Sequence, residues 1–185
     1  FINISLDFLS QGKTYRQVRD TNVMTNPDAL PLNSSRRAFG DGSVTSGGAF
    51  FNMEIPLSAS KKTTFYAFGG YNYKAADAYA YTRNYSARPD RFPVNENGDL
   101  IFVPGIMRTS KDGETFYNPH IQTHITDYSL AAGIRGDAGK DWNWDLSNTL
   151  GRNDFHYYGD QTFNASLVGA TTPNHFDDGG FNFLQ

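Results

Sequence analysis

Five side chains between positions 79 and 88 have the chemistry to contact a ligand. They are Tyr79, Tyr81, Arg83, Tyr85 and Arg88, which recur at short intervals along one segment. Tyrosine rings can stack on sugar rings or aromatic chelators, and arginine binds anionic groups through a planar fork of donors. The pattern predicts either a substrate-contacting cluster or an aromatic girdle followed by a solvated loop, and we favour the girdle.

Histidine is the other residue type that could do chemistry in this chain. His120 and His124 could share a strand face near a strand end, but no carboxylate or cysteine cluster completes a metal site beside them. His156 and His175 stand apart in the sequence. We therefore expect no bound metal and no cofactor.

Enzymatic and nucleic-acid-binding functions are not indicated. The chain lacks a Gly-x-Ser-x-Gly nucleophile elbow and contains no cysteine. Segments 95–99 and 177–180 lack the ligand spacing of a calcium loop and are predicted turns. A formal net charge of −3 argues against a nucleic-acid partner, because binding to phosphate requires a dense basic surface.

The elements that would position these residues are strands. Aromatic residues make up 15% of the chain, but they are spread along it rather than gathered into apolar blocks. No sustained helical stripe is present, and no segment has the roughly 20 consecutive apolar residues of a membrane-spanning helix. Alternation with a period of two predicts five strands, at about 1–10, 45–57, 63–82, 121–136 and 142–158.

Each predicted strand has an apolar face and a polar face. The polar side includes Asp127, Arg135 and Asp145, which we expect to hydrate an inner wall. The apolar side, which we expect to face lipid or to form an aromatic girdle, comprises Ile2, Ile4, Leu6, Phe8, Phe51, Met53, Ile55, Tyr128, Leu130, Ile134, Trp142, Trp144, Leu146 and Leu150.

Long and short connections alternate between these strands. The short ones are 58–62 and 137–141, and the long ones are 11–44, 83–120 and 159–185. Outer-membrane barrels have short periplasmic turns at one end and longer extracellular loops at the other. The sequence therefore predicts an all-β, antiparallel, up-and-down transmembrane β-barrel, of which residues 1–185 form a part.

Several segments resemble the barrel of bacterial TonB-dependent receptors. The likeness is strongest in 127–136 (DYSLAAGIRG), 142–147 (WNWDLS) and 151–155 (GRNDF). Segment 65–71 (FYAFGGY) resembles the preceding strand of that family, and the motif continues downstream through 164–167 (NASL) to Gly180. The resemblance covers about residues 40–185.

The resemblance implies a barrel of about 22 strands with a plugged lumen in the bacterial outer membrane. Members of the family import scarce nutrients such as siderophore-bound iron, cobalamin or oligosaccharides. The implied partners are outer-membrane lipid, a small-molecule or oligosaccharide substrate, TonB acting on a region outside this sequence, and a surface lipoprotein. Neither a plug nor a TonB box is recognisable in these residues.

Two other functions fit parts of the pattern. A passive porin would have the same strands without energy coupling. A soluble extracellular β-sandwich that binds carbohydrate would use Tyr79 and Tyr81 as a stacking platform. A plug domain encoded upstream would favour the receptor over the porin, and a protein that needs no detergent would favour the sandwich.

Overall fold

The computed structural model describes residues 1–16, 38, 40–60, 62–111, 113–167 and 172–185. These residues form an all-β structure in which the only helical element is a single 3-10 turn, Pro89–Arg91. The strands are β1 (Ile2–Gln11), β2 (Ser43–Pro56), β3 (Thr63–Tyr79), β4 (Arg83–Asn84), β5 (Arg108–Thr109), β6 (Thr115–Tyr117), β7 (His120–Ala138), β8 (Trp142–Asp160) and β9 (His175–Leu184).

Two antiparallel sheets account for all nine strands. The large sheet has the order β1-β2-β3-β7-β8-β9, and the small one has the order β4-β6-β5. The prediction of an all-β antiparallel fold is confirmed. Within the described residues the large sheet is open, because β1 and β9 each pair with one neighbour. In this part of the chain, no helix has the length and apolar character needed to cross a membrane.

The register of the large sheet aligns the apolar faces of successive strands. Residues paired across an antiparallel ladder point to the same side of the sheet. One such row crosses five strands and contains Ile4, Phe51, Gly69, Leu130 and Leu150. By the same registers, all fourteen residues of the predicted apolar side share one surface, which we call the apolar face.

The opposite surface, the polar face, carries the three predicted inner-wall residues. In the β3–β7 ladder, Asp127 pairs with Asn72 and Arg135 pairs with Thr64. In the β7–β8 ladder, Asp145 pairs with Arg135. This face also exposes aromatic rings, among them Phe50 and Phe68. Its composition is therefore mixed, whereas the apolar face carries a single polar side chain, Asn148, among the described residues between Trp142 and Leu150 of β8.

Three differences separate the fold from the predicted strand pattern. Residues 175–184 form a sixth long strand, β9, where a continuous loop at 159–185 was expected. Segment 83–120 was also expected to be a loop, but it contains β4, β5 and β6. Most of the predicted loop 11–44 lies outside the described residues.

The connections alternate in length as predicted. The short ones, 57–62 and 139–141, lie at the same end of the sheet, because Thr63 pairs with Gly136. β3 contains 17 residues, and β7 and β8 contain 19 each. A tilted strand crosses the hydrocarbon layer in roughly 9–11 residues, so these strands extend well beyond any apolar layer at the end opposite the short turns.

Residues 80–119 fold into a compact unit at that far end, which we call the loop module. Its core consists of Phe92, Met107 and Tyr117, each at most 3% exposed. The Phe92 and Tyr117 rings meet edge to face, with centroids 5.0 Å apart. Phe163, from the next long connection, packs edge to face on Tyr117 at 5.1 Å. The module therefore has a core separate from the large sheet.

Gly69 lies where β3 and β7 approach closely. A Cβ atom on Gly69 would overlap the carbonyl oxygen of Ser129 and lie 3.0 Å from the Cα atom of Leu130. Both are backbone atoms, so the two strands would have to separate to accept a side chain. We expect Gly69→Ala to lower the free energy of unfolding by about 1–3 kcal/mol in denaturant titrations.

Gly151→Ala is the matched control for that substitution. Gly151 also lies inside a strand, but the nearest atom to an added Cβ is the Tyr128 carbonyl oxygen at 4.0 Å. Alanine there should be neutral or slightly stabilising, because it reduces the entropy of the unfolded chain. Equal destabilisation at the two positions would contradict the close approach at Gly69.

Candidate functional site

The five residues of the predicted ligand cluster do not converge. Tyr85 packs in the core of the loop module, with its ring centroid 5.3 Å from that of Phe92. Arg88 binds Asp90 through two hydrogen bonds of 2.9 and 2.8 Å. These two side chains therefore have structural roles within the module.

The other three members separate into two places. The guanidinium of Arg83 lies 6.0 Å from the ring centroid of Tyr81, a cation–π contact on the module surface. Tyr79 is the last residue of β3 and lies on the same side of the sheet as the apolar face, because it pairs with His120 in the β3–β7 ladder. Tyr79 lines a cavity at this end of the sheet.

That cavity, which we call the outer pocket, has a volume of about 430 Å³. It lies between the segment after β1, the far ends of β3 and β7, and the loop module. The side chains around it include Lys13, Tyr15, Tyr79, Arg108, Asn118 and His120. Pockets for small ligands have volumes of about 300–1,000 Å³ and a few polar groups that converge, and the outer pocket fits that description.

A half-buried ion-pair network forms the floor of the outer pocket. The Lys13 ammonium lies 2.6 Å from Asp77, and His120 Nδ1 lies 3.0 Å from the same carboxylate. Burial alone would raise the pKa of Asp77, but hydrogen bonds with Lys13, Gln122 and His120 outweigh it and hold that pKa below its ordinary value. Asp77 is therefore ionised at neutral pH and fixes the lysine in place.

Aromatic rings line the pocket above that network. Lys13 Nζ lies 4.6 Å from the ring centroid of Tyr79, and the His120 ring meets Tyr79 edge to face at 5.0 Å. Burial and a hydrogen bond with Tyr15 raise the pKa of Tyr79, whereas the charge of Arg108 opposes the rise. Tyr79 is therefore a neutral phenol, and Arg108 lies near enough to act on it electrostatically.

The histidines come together more closely than their sequence positions predict. Gln122 links Asp77 to Asp160 through contacts of 3.0 and 3.3 Å, and Asp160 contacts His175 at 3.1 Å. His156 and His175, although 19 positions apart in the sequence, also come together. Strand pairing at the far end of the sheet places both beside the same tyrosine, Tyr158.

Tyr158 is the centre of that aromatic row. The rings of His124, His156 and His175 lie 5.1, 4.7 and 5.6 Å from it. His120 and His124 do share a strand face, as predicted, because residues separated by two or four positions along a strand point to the same side. Among the described residues, no three His, Asp or Glu side chains converge on a position suitable for a metal ion.

A second polar cluster lies on the polar face near the short turns. The Tyr66 hydroxyl donates to the Asp145 carboxylate at 2.8 Å. Arg135 forms an ion pair with Glu54, and its guanidinium lies 5.4 Å from the Tyr66 ring. These contacts join β2, β3, β7 and β8 across the face, beside a cavity of about 510 Å³.

Lys13, Tyr15, Arg108 and Asn118 have no signal in the sequence that would mark them as site residues. Lys13 and Tyr15 follow β1 in a segment without periodicity, and Arg108 lies 29 positions beyond Tyr79. Only the folding of the loop module against the end of the sheet brings these side chains together. The nearest sequence indication was Tyr79 itself.

No family model matches the chain, and neither the curated proteins nor the solved structures include a significant match to it. The functional argument therefore depends on the geometry of the sheet and on the residues described above.

Proposed function

We propose that this chain forms part of the wall of a TonB-dependent receptor, an outer-membrane barrel that imports a scarce nutrient. The observation that carries the proposal is the apolar face. It is a mainly apolar surface that crosses five strands in register, interrupted by Asn148, and no second layer of the described structure covers it.

The exposure of these side chains is far above that of a buried core. Leu6, Phe8 and Leu146 are 75–78% exposed. A soluble β-sandwich would bury such a face against a second sheet about 10 Å away. A face of this size is stable when it contacts lipid, and this supports a membrane location over the sandwich.

The dimensions of the apolar face suit a bilayer. On β8 it extends from Trp142 to Leu150, which at about 3.3 Å per residue and a tilt of about 40° is roughly 20 Å in height. Trp142 and Trp144 lie beside the short turn, and Tyr73 and Tyr128 lie towards the opposite limit. Aromatic residues at both limits are typical of the two membrane–water interfaces.

The polar face would then line the lumen. Its ion pairs and hydrogen bonds join neighbouring strands, for example Arg135 with Glu54 and Tyr66 with Asp145. The short turns would face the periplasm, and the loop module would face outwards. The choice of a TonB-dependent receptor over a passive porin is supported by the resemblance of segment 127–153 to that family.

Membrane fractionation tests this proposal. We expect the full-length protein to sediment with outer membranes, to resist extraction by high salt and alkali, and to need detergent for solubility. A receptor should also migrate differently on gels before and after boiling, because barrel sheets resist detergent until they are heated. Recovery in the soluble fraction without detergent would overturn the membrane assignment and favour the β-sandwich.

A further inference from the structure

We infer that the outer pocket is a binding site for a phosphate group, carried either by a lipid headgroup or by a free solute. The pocket lies beyond the apolar face but on the same side of the sheet, since Tyr79 and His120 occupy that side. Its existence depends only on the described fold. Only the possibility that the phosphate belongs to a lipid headgroup rests on the proposed membrane location.

The charge at the pocket favours an anion. Asp77 is the carboxylate that contacts Lys13 and His120 there. Arg108 lines the same cavity, is exposed, and has no ion-pair partner among the described residues. With Lys13 balanced by Asp77, Arg108 leaves an excess positive charge among the side chains that line the cavity.

The arrangement of donors favours phosphate over a planar carboxylate. Lys13, Arg108 and Asn118 approach the cavity from three separate segments of the chain. A carboxylate is satisfied by one flat fork of donors, whereas the oxygens of a phosphate accept hydrogen bonds from several directions. The contact with Asp77 uses one of the three ammonium donors of Lys13, because His120 Nδ1 donates to the same carboxylate and does not also accept from the lysine, which leaves capacity for a ligand oxygen.

The pocket is held in place before any ligand binds. Lys13 and His120 side chains are 13% and 10% exposed, and each is fixed by Asp77. Gln161, which also lines the cavity, has a φ of 49°, a left-handed conformation that a side-chain-bearing residue adopts only under tertiary constraint. Donors that are ordered in advance lose little entropy when they bind.

Calorimetric titration of the full-length protein in a zwitterionic detergent tests the inference. Inorganic phosphate at constant ionic strength is expected to bind saturably, and Arg108→Gln should raise its Kd by roughly tenfold or more. Lys13→Gln should do the same, but it also removes the ion pair with Asp77, and this can impair folding. Because Arg108 is exposed, the arginine variant provides the decisive measurement.

Lys111→Gln is the matched control, since Lys111 is an exposed cation in the same loop module but is not a lining residue of the pocket. The Kd of the Lys111→Gln variant for inorganic phosphate should equal that of the unaltered protein. An equal loss of affinity in the Lys111 and Arg108 variants would indicate nonspecific attraction and overturn the site.

A second titration separates the two sources of phosphate. Micelles containing phosphatidic acid are compared with micelles of phosphatidylcholine alone, and inorganic phosphate is added as a competitor. Tighter binding of phosphatidic acid that phosphate displaces identifies a lipid headgroup, whereas phosphate binding without a lipid preference identifies a solute. Binding of neither probe overturns the inference, and recovery of a soluble protein that still binds phosphate would overturn only the membrane proposal.

Discussion

Ile134→Arg is expected to destabilise the protein in a bilayer by about 2–4 kcal/mol, because in the proposed membrane location it would place a charge near the middle of the hydrocarbon region. Ile134 lies at the centre of the apolar face, because its register partner Leu146 is midway between Trp142 and Leu150, and its other partner is Phe65. Refolding into lipid vesicles, followed by denaturant titration, gives the free-energy difference directly.

Ser129→Arg is the control for this substitution. Ser129 is exposed, lies in the same strand, β7, and points to the polar face between Gly70 and Gly151. An arginine there would project into water, so we expect a change below about 0.5 kcal/mol. If the two variants lost the same free energy of unfolding, the assignment of the apolar and polar faces would be wrong, even if the strand order were correct.

Phe92→Ala is expected to lower the free energy of unfolding of the loop module by about 3–5 kcal/mol, the usual range for truncating a fully buried phenylalanine to alanine. Phe92 is 1% exposed and contacts Tyr85 and Tyr117 edge to face. The large sheet does not depend on this core, so unfolding should be confined to residues 80–119. Limited proteolysis followed by mass spectrometry should detect new cleavages there while the long strands remain protected.

The control for the module is Phe102→Ala, because Phe102 is 46% exposed and its truncation should leave the cleavage pattern unchanged. The Phe92 variant should also lose the outer pocket, since the module supplies Arg108 and Asn118. New cleavage throughout the large sheet would contradict a separate core.

Alternation was sufficient to locate five of the six strands of the large sheet. Strands in such a sheet have one apolar and one polar side, so a local period of two identifies each of them. β9 was missed because its Asp-Asp-Gly-Gly sequence resembles a turn. Gly179 has a φ of 77°, and the ladder shifts register between Tyr157 and Tyr158, so this strand contains a bulge that interrupts its alternation.

The outer pocket could not be predicted in the same way. Its lysine, arginine and asparagine come from segments that are distant in the sequence and have no common periodicity. Their meeting depends on how the loop module packs, which tertiary contacts decide. The tyrosine–arginine cluster at 79–88 is the opposite case, because the sequence suggested it and the structure separates its members. Tyr85 packs on Phe92 and Arg88 binds Asp90 within the loop module, and Tyr79 is the member that lines the outer pocket.

The loop module also has a consequence for the order of folding. Tyr79 and His120 pair directly, and just outside them the Ala80 amide donates to the Pro119 carbonyl at 2.7 Å. If residues 80–119 were a flexible chain, bringing their ends together would cost conformational entropy before the hydrogen bonds of the β3–β7 ladder could form. A module that folds early from local contacts would bring its own two ends together. The rate at which β3 and β7 pair would then depend on residues such as Phe92, which belongs to the core of the loop module.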